Sequence, residues 1–94
     1  MTREVRLTAR AEKDLQRLED FLAGKNPDAS LRAAAAITEA VLSLADHAER
    51  GFSGPAPNLR QIAVPFGDSG YIIQYRVQTQ LVVVARIKHA RERR

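Results

Sequence analysis

The first periodic stretch of the chain is EVRLT, residues 4–8. Val5 and Leu7 project to one side and Glu4, Arg6 and Thr8 to the other, which is the period of a strand with one buried face. The period then lengthens. Across residues 9–25, Ala11, Leu15, Leu18 and Leu22 recur at helical spacing, with Lys13, Arg17 and Asp20 on the other side. Thr8 is placed to cap this helix and Gly24 to stop it. Asn26-Pro27-Asp28 is a second helix start: Asn caps, Pro suits the first turn, and Asp complements the helix dipole. The following run, DASLRAAAAITEAVLSLADHAER (28–50), carries Leu31, Ala34, Ile37, Val41 and Leu44 on a broad apolar face. Ala33 to Ala36 favour helix and let a neighbour approach closely. So short a connection predicts an antiparallel helical hairpin.

GFSGPAPN (51–58), with two glycines and two prolines, reads as loop. Beyond it the period is two. LRQIAVPF (59–66) is a strand, with Pro65 placing it at an edge or at its own end. GDSG (67–70) is a turn, YIIQYRV (71–77) a strand, Gln78-Thr79 a tight connection, and QLVVVARIK (80–88) the last strand. The last two are apolar on both faces through the middle, as in a central strand or a face awaiting a partner. The expected fold is a single α+β domain over residues 1–94, ordered β-α-α-β-β-β. A helical hairpin packs on one face of a small, mostly antiparallel sheet whose last three strands form a meander. Nothing in the chain remains to cover the other sheet face.

Charge changes this picture at one end only. Residues 1–85 hold ten basic and ten acidic side chains, so the whole net charge of +4 falls on residues 86–94. Arg86, Lys88, Arg91, Arg93 and Arg94 stand there against Glu92 alone. A solvated tail is one reading of such a cluster; a contact surface for something anionic is the other. There is no cysteine, hence no disulfide or thiolate metal site. No apolar run approaches a membrane span and no signal-peptide core is present, so a cytoplasmic, membrane-free protein is expected.

Chemistry is sparse. His47, near the end of the second helix, is placed to cap carbonyls. His89 sits among cations past the last strand, where a general base is one reading. No clustered His or carboxylates suggest a metal, and no glycine-rich phosphate loop or nucleophile elbow suggests a cofactor or a small-molecule substrate. Tyr71 and Tyr75 share a strand face, as core aromatics or as base-stacking groups. Arg60, at the head of its strand, reads as a structural ion pair across the sheet.

Taken together, RLTARAEKDL, the helix start NPDAS, the loop GFSGPAPNLRQIAV, GYIIQYRV and VVVARIKHARE resemble the ParE/RelE toxin superfamily, the toxin half of bacterial type II toxin–antitoxin operons. The likeness spans about Val5 to Arg91. It implies the same β-α-α-β-β-β fold. It also implies one of two activities: RelE-like cleavage of messenger RNA on the ribosome, or ParE-like poisoning of DNA gyrase without enzymatic activity. RelE-like members carry arginine where this chain has Ile72, and a C-terminal tyrosine-bearing extension that it lacks; many ParE-like sequences keep that arginine too. The resemblance therefore points to a ParE-like gyrase poison in the bacterial cytoplasm, with a ribonuclease, or a degenerate antitoxin-binding member, as alternatives. Arg86, Lys88, His89 and Arg91 are then the surface for the target. The implied partner is an acidic ParD-like antitoxin, in a hetero-oligomer with at least two copies of each chain. Leu15, Leu18, Leu22 and Val41 are expected to divide between core and antitoxin interface.

Overall fold

The computed structural model describes residues 2–91. Strand β1 (Glu4–Leu7) leads into helix α1 (Ala9–Ala23), then helix α2 (Pro27–Ser43). A 3-10 turn (Ala48–Arg50) and a two-residue strand β2 (Phe52–Ser53) follow, then β3 (Arg60–Val64), β4 (Tyr71–Val77) and β5 (Leu81–His89). Both helix starts form as their sequences dictate. The Thr8 hydroxyl accepts from the Ala11 N–H and the Asn26 side chain from the Ala29 N–H, each at 3.1 Å. Gly24 is right-handed helical, so no left-handed cap ends α1. The chain turns instead because the Lys25 and Asn26 N–H groups both fold back on the Leu22 carbonyl, at 2.9 and 2.6 Å.

The five strands form one sheet in the order β1-β5-β4-β3-β2, so the last strand lies in the interior. β1 joins it parallel, Glu4 opposite Leu81 through Leu7 opposite Val84; every other pair is antiparallel. The meander β3-β4-β5 forms as expected, and β3 stops at Val64, ahead of Pro65. Both helices lie on one face. Ile62, Ile73, Val82, Val84 and Ile87 meet Ala11, Leu18, Ala33, Ile37, Val41 and Leu44 there, all buried. The opposite face carries a Gln61–Gln74 side-chain pair (3.3 Å) and the half-buried Ile72 and Val83.

Beyond Val84 the edge of β5 has no β1 residue to pair with, and α1 takes over. The Thr8 N–H donates to the Val84 carbonyl (3.0 Å) and its hydroxyl to the Ala85 carbonyl (3.1 Å). Asp14, buried on α1, accepts the Ile87 N–H at 2.9 Å. Its carboxylate also takes both arms of the Arg86 guanidinium, Nε at 2.8 Å and Nη2 at 3.4 Å. A register irregularity between β4 and β5 leaves Ala85 opposite no residue, and Arg86 follows it. Burial alone raises the Asp14 pKa. The Arg86 and Ile87 hydrogen bonds and the Arg86 and Arg17 charges outweigh that and hold it below its ordinary value.

Two parts of the sequence reading are corrected after Val41. The second helix ends at Ser43, not near Arg50: the Ser43 hydroxyl bonds back to the Ala40 carbonyl (2.6 Å), and residues 44–48 bend so that Leu44 and Ala48 enter the core. His47 heads the 3-10 turn with an exposed ring that makes no capping bond. The loop 51–58 also opens with a strand, β2, paired to Gln61 and Arg60. What fixes this segment is a set of carbonyl contacts. The Tyr75 hydroxyl donates to the Ala48 carbonyl (2.7 Å), and Arg60 Nη2 to the Glu49 and Gly51 carbonyls (2.6 and 3.1 Å). Arg60 is therefore structural, through backbone carbonyls and not through the ion pair expected, and its buried Nε has no partner. Gly51 belongs to the same knot: a Cβ there would overlap the Tyr75 hydroxyl and lie 2.8 Å from the Gln61 carbonyl oxygen.

Two outcomes follow from these contacts. Asp14→Ala strands the Arg86 charge and the Ile87 N–H and should destabilise the fold by about 3–5 kcal/mol in urea unfolding. Because folding depresses the Asp14 pKa, its ionic contribution is complete above the ordinary value of 3.8 and disappears as pH falls through the depressed one. Acid unfolding of the Asp14→Ala protein should therefore lose part of its pH dependence below that value. Gly51→Ala should cost about 1–3 kcal/mol through overpacking, and Tyr75→Phe in the same chain should recover part of that loss.

Candidate functional site

The expected target residues all lie on the C-terminal half of β5 and just past it, but the structure divides them. Arg86 is engaged with Asp14 inside the fold, so it belongs to the scaffold and not to an offered surface. Lys88 is half-buried opposite Ile72, on the sheet face away from the helices. His89 lies opposite Tyr71 on the helix side, and Arg91 is exposed on the turn beyond. Arg93 and Arg94 lie outside the described residues, so the full cationic tail is represented here by Lys88, His89 and Arg91.

His89 is held from three sides. Its ring meets Tyr71 edge-on at 5.6 Å, its Nε2 lies 3.3 Å from the Ser69 hydroxyl, and its Nδ1 accepts the Arg91 N–H at 3.1 Å. A backbone N–H can only donate, so the neutral ring carries its proton on Nε2. Nε2 is thus a donor towards Ser69, and the nitrogen with a lone pair is already engaged. That arrangement does not suit the general-base role considered for His89. The Tyr71 phenol is also kept neutral, since burial raises its pKa above 10. Tyr71 and Tyr75 are both core residues, at 3% and 0% exposure, which removes them as base-stacking platforms.

Around His89 the molecule forms two adjoining hollows. The larger, about 570 Å³, is lined by Arg17, Leu18, Phe21, His89 and Arg91. The other, about 230 Å³, adds Leu22, Phe66, Asp68, Ser69 and Tyr71. Phe21, on α1, lines the hollow beside the end of β5 and is 62% exposed, with Lys25 Nζ 4.8 Å above its ring. Phe21 and Arg17 were not singled out in the sequence because they lie off the apolar stripe of α1. That displacement is itself the signal, since a large aromatic beside a helix's polar face has no core to enter.

A second groove, about 540 Å³, runs between α2 and the other edge of the sheet. Ala36, Ala40, Phe52, Ile62 and Val64 line it, with Glu39 and Arg50 at its margin. β2 pairs only with Arg60 and Gln61, so the outer edge of β3 from Ile62 to Val64 has no strand neighbour among the described residues. The four helix residues expected to divide between core and interface fall mostly to the core. Val41 and Leu18 are buried, although Leu18 also reaches the hollows beside His89; Leu15 and Leu22 are partly buried against the core. The large apolar side chains left open on the helices are Phe21, Leu31 and Leu42. Among the described residues no three His, Cys, Asp or Glu side chains are grouped to hold a metal ion, and no helix is long and apolar enough to cross a membrane.

Known proteins share both this sequence and this architecture. Residues 5–94 match the family model described as the ParE toxin of the type II toxin–antitoxin system, parDE. The chain is 40% identical over 92 residues to Toxin RelE3 of Caulobacter vibrioides, covering 98% of this chain and 99% of that one. It is 38% identical to Toxin RelE1 of the same organism over the full length of both. Its fold superposes on a chain of the chromosomal ParDE toxin–antitoxin system from P. aeruginosa with a TM-score of 0.80, at 22% identity, covering 95% and 97% of the two chains. With a family match that runs from Val5 to the last residue and relatives this similar over their whole lengths, the chain belongs to the ParE toxin family of type II toxin–antitoxin systems.

Proposed function

We propose that this toxin poisons DNA gyrase, acts without catalysis of its own, and is held inactive in the cytoplasm by an acidic ParD-like antitoxin. The observation that carries the reading is how the sheet uses its arginines and lysines. Arg60 and Arg86 are drawn into carbonyl and carboxylate contacts inside the fold. Lys88 and Arg91 make no ion pair within the described residues and remain at the open end of β5. This leaves a small cationic surface suited to binding, with little beside it suited to proton transfer. Cleavage of RNA by its own 2′-hydroxyl needs a group to take a proton and another to give one. His89 has its lone pair engaged by the Arg91 N–H, Tyr71 is buried, and an apolar Ile72 sits opposite Lys88 on the open sheet face.

An antitoxin partner fits the remaining surface. Both grooves are apolar; Arg17 and Arg91 stand at the rim of one, and Arg50 with Glu39 at the margin of the other, so the first is the more basic. A disordered acidic segment with apolar anchors could fold into either, and the unpaired edge of β3 offers backbone for one more strand. Complementary charge favours such a pairing, since the toxin carries +4.

A ribosome-dependent ribonuclease is the second reading, because the curated relatives are named RelE toxins. Purified toxin is assayed in parallel for gyrase supercoiling and for message cleavage in a translation reaction. Lost supercoiling, or accumulated cleaved DNA, with intact message is the expected result; cut message with normal gyrase selects the ribonuclease. If expression leaves growth, gyrase and message untouched, the chain is a toxin-family member that has lost its poison. In the gyrase assay Lys88→Ala and Arg91→Ala should each weaken inhibition about tenfold with little change in Tm. Arg86→Ala should instead lower Tm, because it leaves the buried Asp14 carboxylate without its guanidinium partner.

A further inference from the structure

The inner face of α2 is used up by the core through Ser30, Ala33, Ile37 and Val41. Its outer face carries a second apolar line. Leu31 and Leu42 are 72% and 63% exposed, and Ala35 and Thr38 lie exposed between them. The spacing of four, three and four residues places all four side chains on one stripe, turned well away from Ile37 and about three helical turns long. Isolated exposed leucines need no explanation. Two leucines at the ends of one helical seam, with small side chains between them, form a surface that another helix can enter.

Charge decides which helix. Arg32 and Glu39 are seven residues apart on one flank of this stripe, both exposed, and neither forms an ion pair within the described residues. An acidic partner would be drawn to Arg32 and repelled by Glu39, with no net preference. A parallel copy of α2 would set Arg32 against Arg32 and Glu39 against Glu39. An antiparallel copy, with its two-fold axis between Ala35 and Thr38, satisfies everything. Leu31 then faces Leu42 of the second copy, Ala35 faces Thr38, and Arg32 comes within about two residues' rise, ~3 Å along the axis, of Glu39. The same two pairs recur on the other side of the axis, as an isologous contact requires.

We propose that the outer face of α2 is a self-complementary interface through which two copies of this chain associate, antiparallel helix on helix. The seam is short and its centre is small, so the interface lies below the size of stable dimers and the association is weak and reversible. It leaves the cationic end of β5 and the hollows beside His89 open, and it meets the groove along Ala36 and Ala40 only at Glu39, on that groove's margin. The inference therefore stands or falls separately from the gyrase reading.

The test is sedimentation equilibrium of the full-length chain, freed of any partner by denaturation and refolded, over roughly 5–500 μM, the range in which a sub-standard interface dissociates. A concentration-dependent monomer–dimer equilibrium is expected. Leu42→Glu should weaken it at least about tenfold, as should Arg32→Glu. The doubly swapped chain, Arg32→Glu with Glu39→Arg, should return to within about threefold of wild type, because the two-fold pairing is restored with its signs exchanged. All these positions are exposed, so unchanged circular dichroism and Tm confirm that each variant is folded. A chain monomeric throughout the range overturns the proposal. So does a dimer indifferent to Leu42→Glu, or a charge swap that fails to restore it. Should Leu42→Glu leave self-association intact and instead abolish binding of an acidic antitoxin chain, the face belongs to that partner and the proposal is wrong.

Discussion

Past Val84, β5 runs on for five more residues with no strand on its β1 side. Its backbone must still be satisfied there, and a helix has no backbone groups to lend sideways. Thr8 and Asp14 supply the solution: the Thr8 N–H meets the Val84 carbonyl, its hydroxyl the Ala85 carbonyl, and the Asp14 carboxylate the Ile87 N–H. This fixes more than an edge. It sets the point where β1 ends and α1 begins, the tilt at which α1 crosses the sheet, and so the position of Leu18 and Phe21 beside His89. The Asp14–Arg86 pair is costly to bury and worthwhile only with its hydrogen bonds complete, which is the condition met here. The cationic end of the molecule is thus built on a strand whose neighbour is a helix.

That arrangement also sorts the basic residues by role. An arginine buried near a sheet edge can stabilise the fold only by neutralising a carboxylate or capping carbonyls, and Arg86 and Arg60 do one each. Their planar, multiply donating head groups suit this work, and lysine would not replace them. Lys88 and Arg91 lie a few residues farther along the same strand and turn, where solvent is available and no ion pair forms among the described residues. Cations concentrated in sequence are therefore not equivalent in space: one end of VVVARIKHAR is structure and the other is surface.

Much of the fold could be read from local pattern. Thr8, Asn26-Pro27 and Pro65 act within a few residues of themselves, and each marks a boundary where the sequence places it. What periodicity does not carry is pairing. Nothing in EVRL says that it lies parallel to VVV, seventy-odd residues away, so the sheet order was not legible. β2 was hidden for a different reason: its two residues sit in a glycine- and proline-rich loop, and they are a strand only because Tyr75, Arg60 and Gly51 bring the loop onto β3. Arg86 was read as surface because its partner is far away in sequence. The partner did leave a trace. Asp14 is three residues from Ala11 and four from Leu18, inside the apolar stripe, and a lone carboxylate in that place implies a buried cation or N–H to meet it.

The same reasoning, applied to α2, separates its two faces by what each lacks. The inner face carries Ala33, Ile37 and Val41 and lacks only the sheet, which the chain itself provides. The outer face carries leucines at both ends of a seam and one charge of each sign on its flank, and among the described residues neither the leucines are covered nor the charges paired. A hydrophobic surface alone accepts many partners, since apolar contact is not directional. Charges placed on it remove most of them. Arg32 and Glu39 disfavour a uniformly acidic helix, a uniformly basic one and a parallel copy. The partner that survives these exclusions is α2 itself, turned end for end.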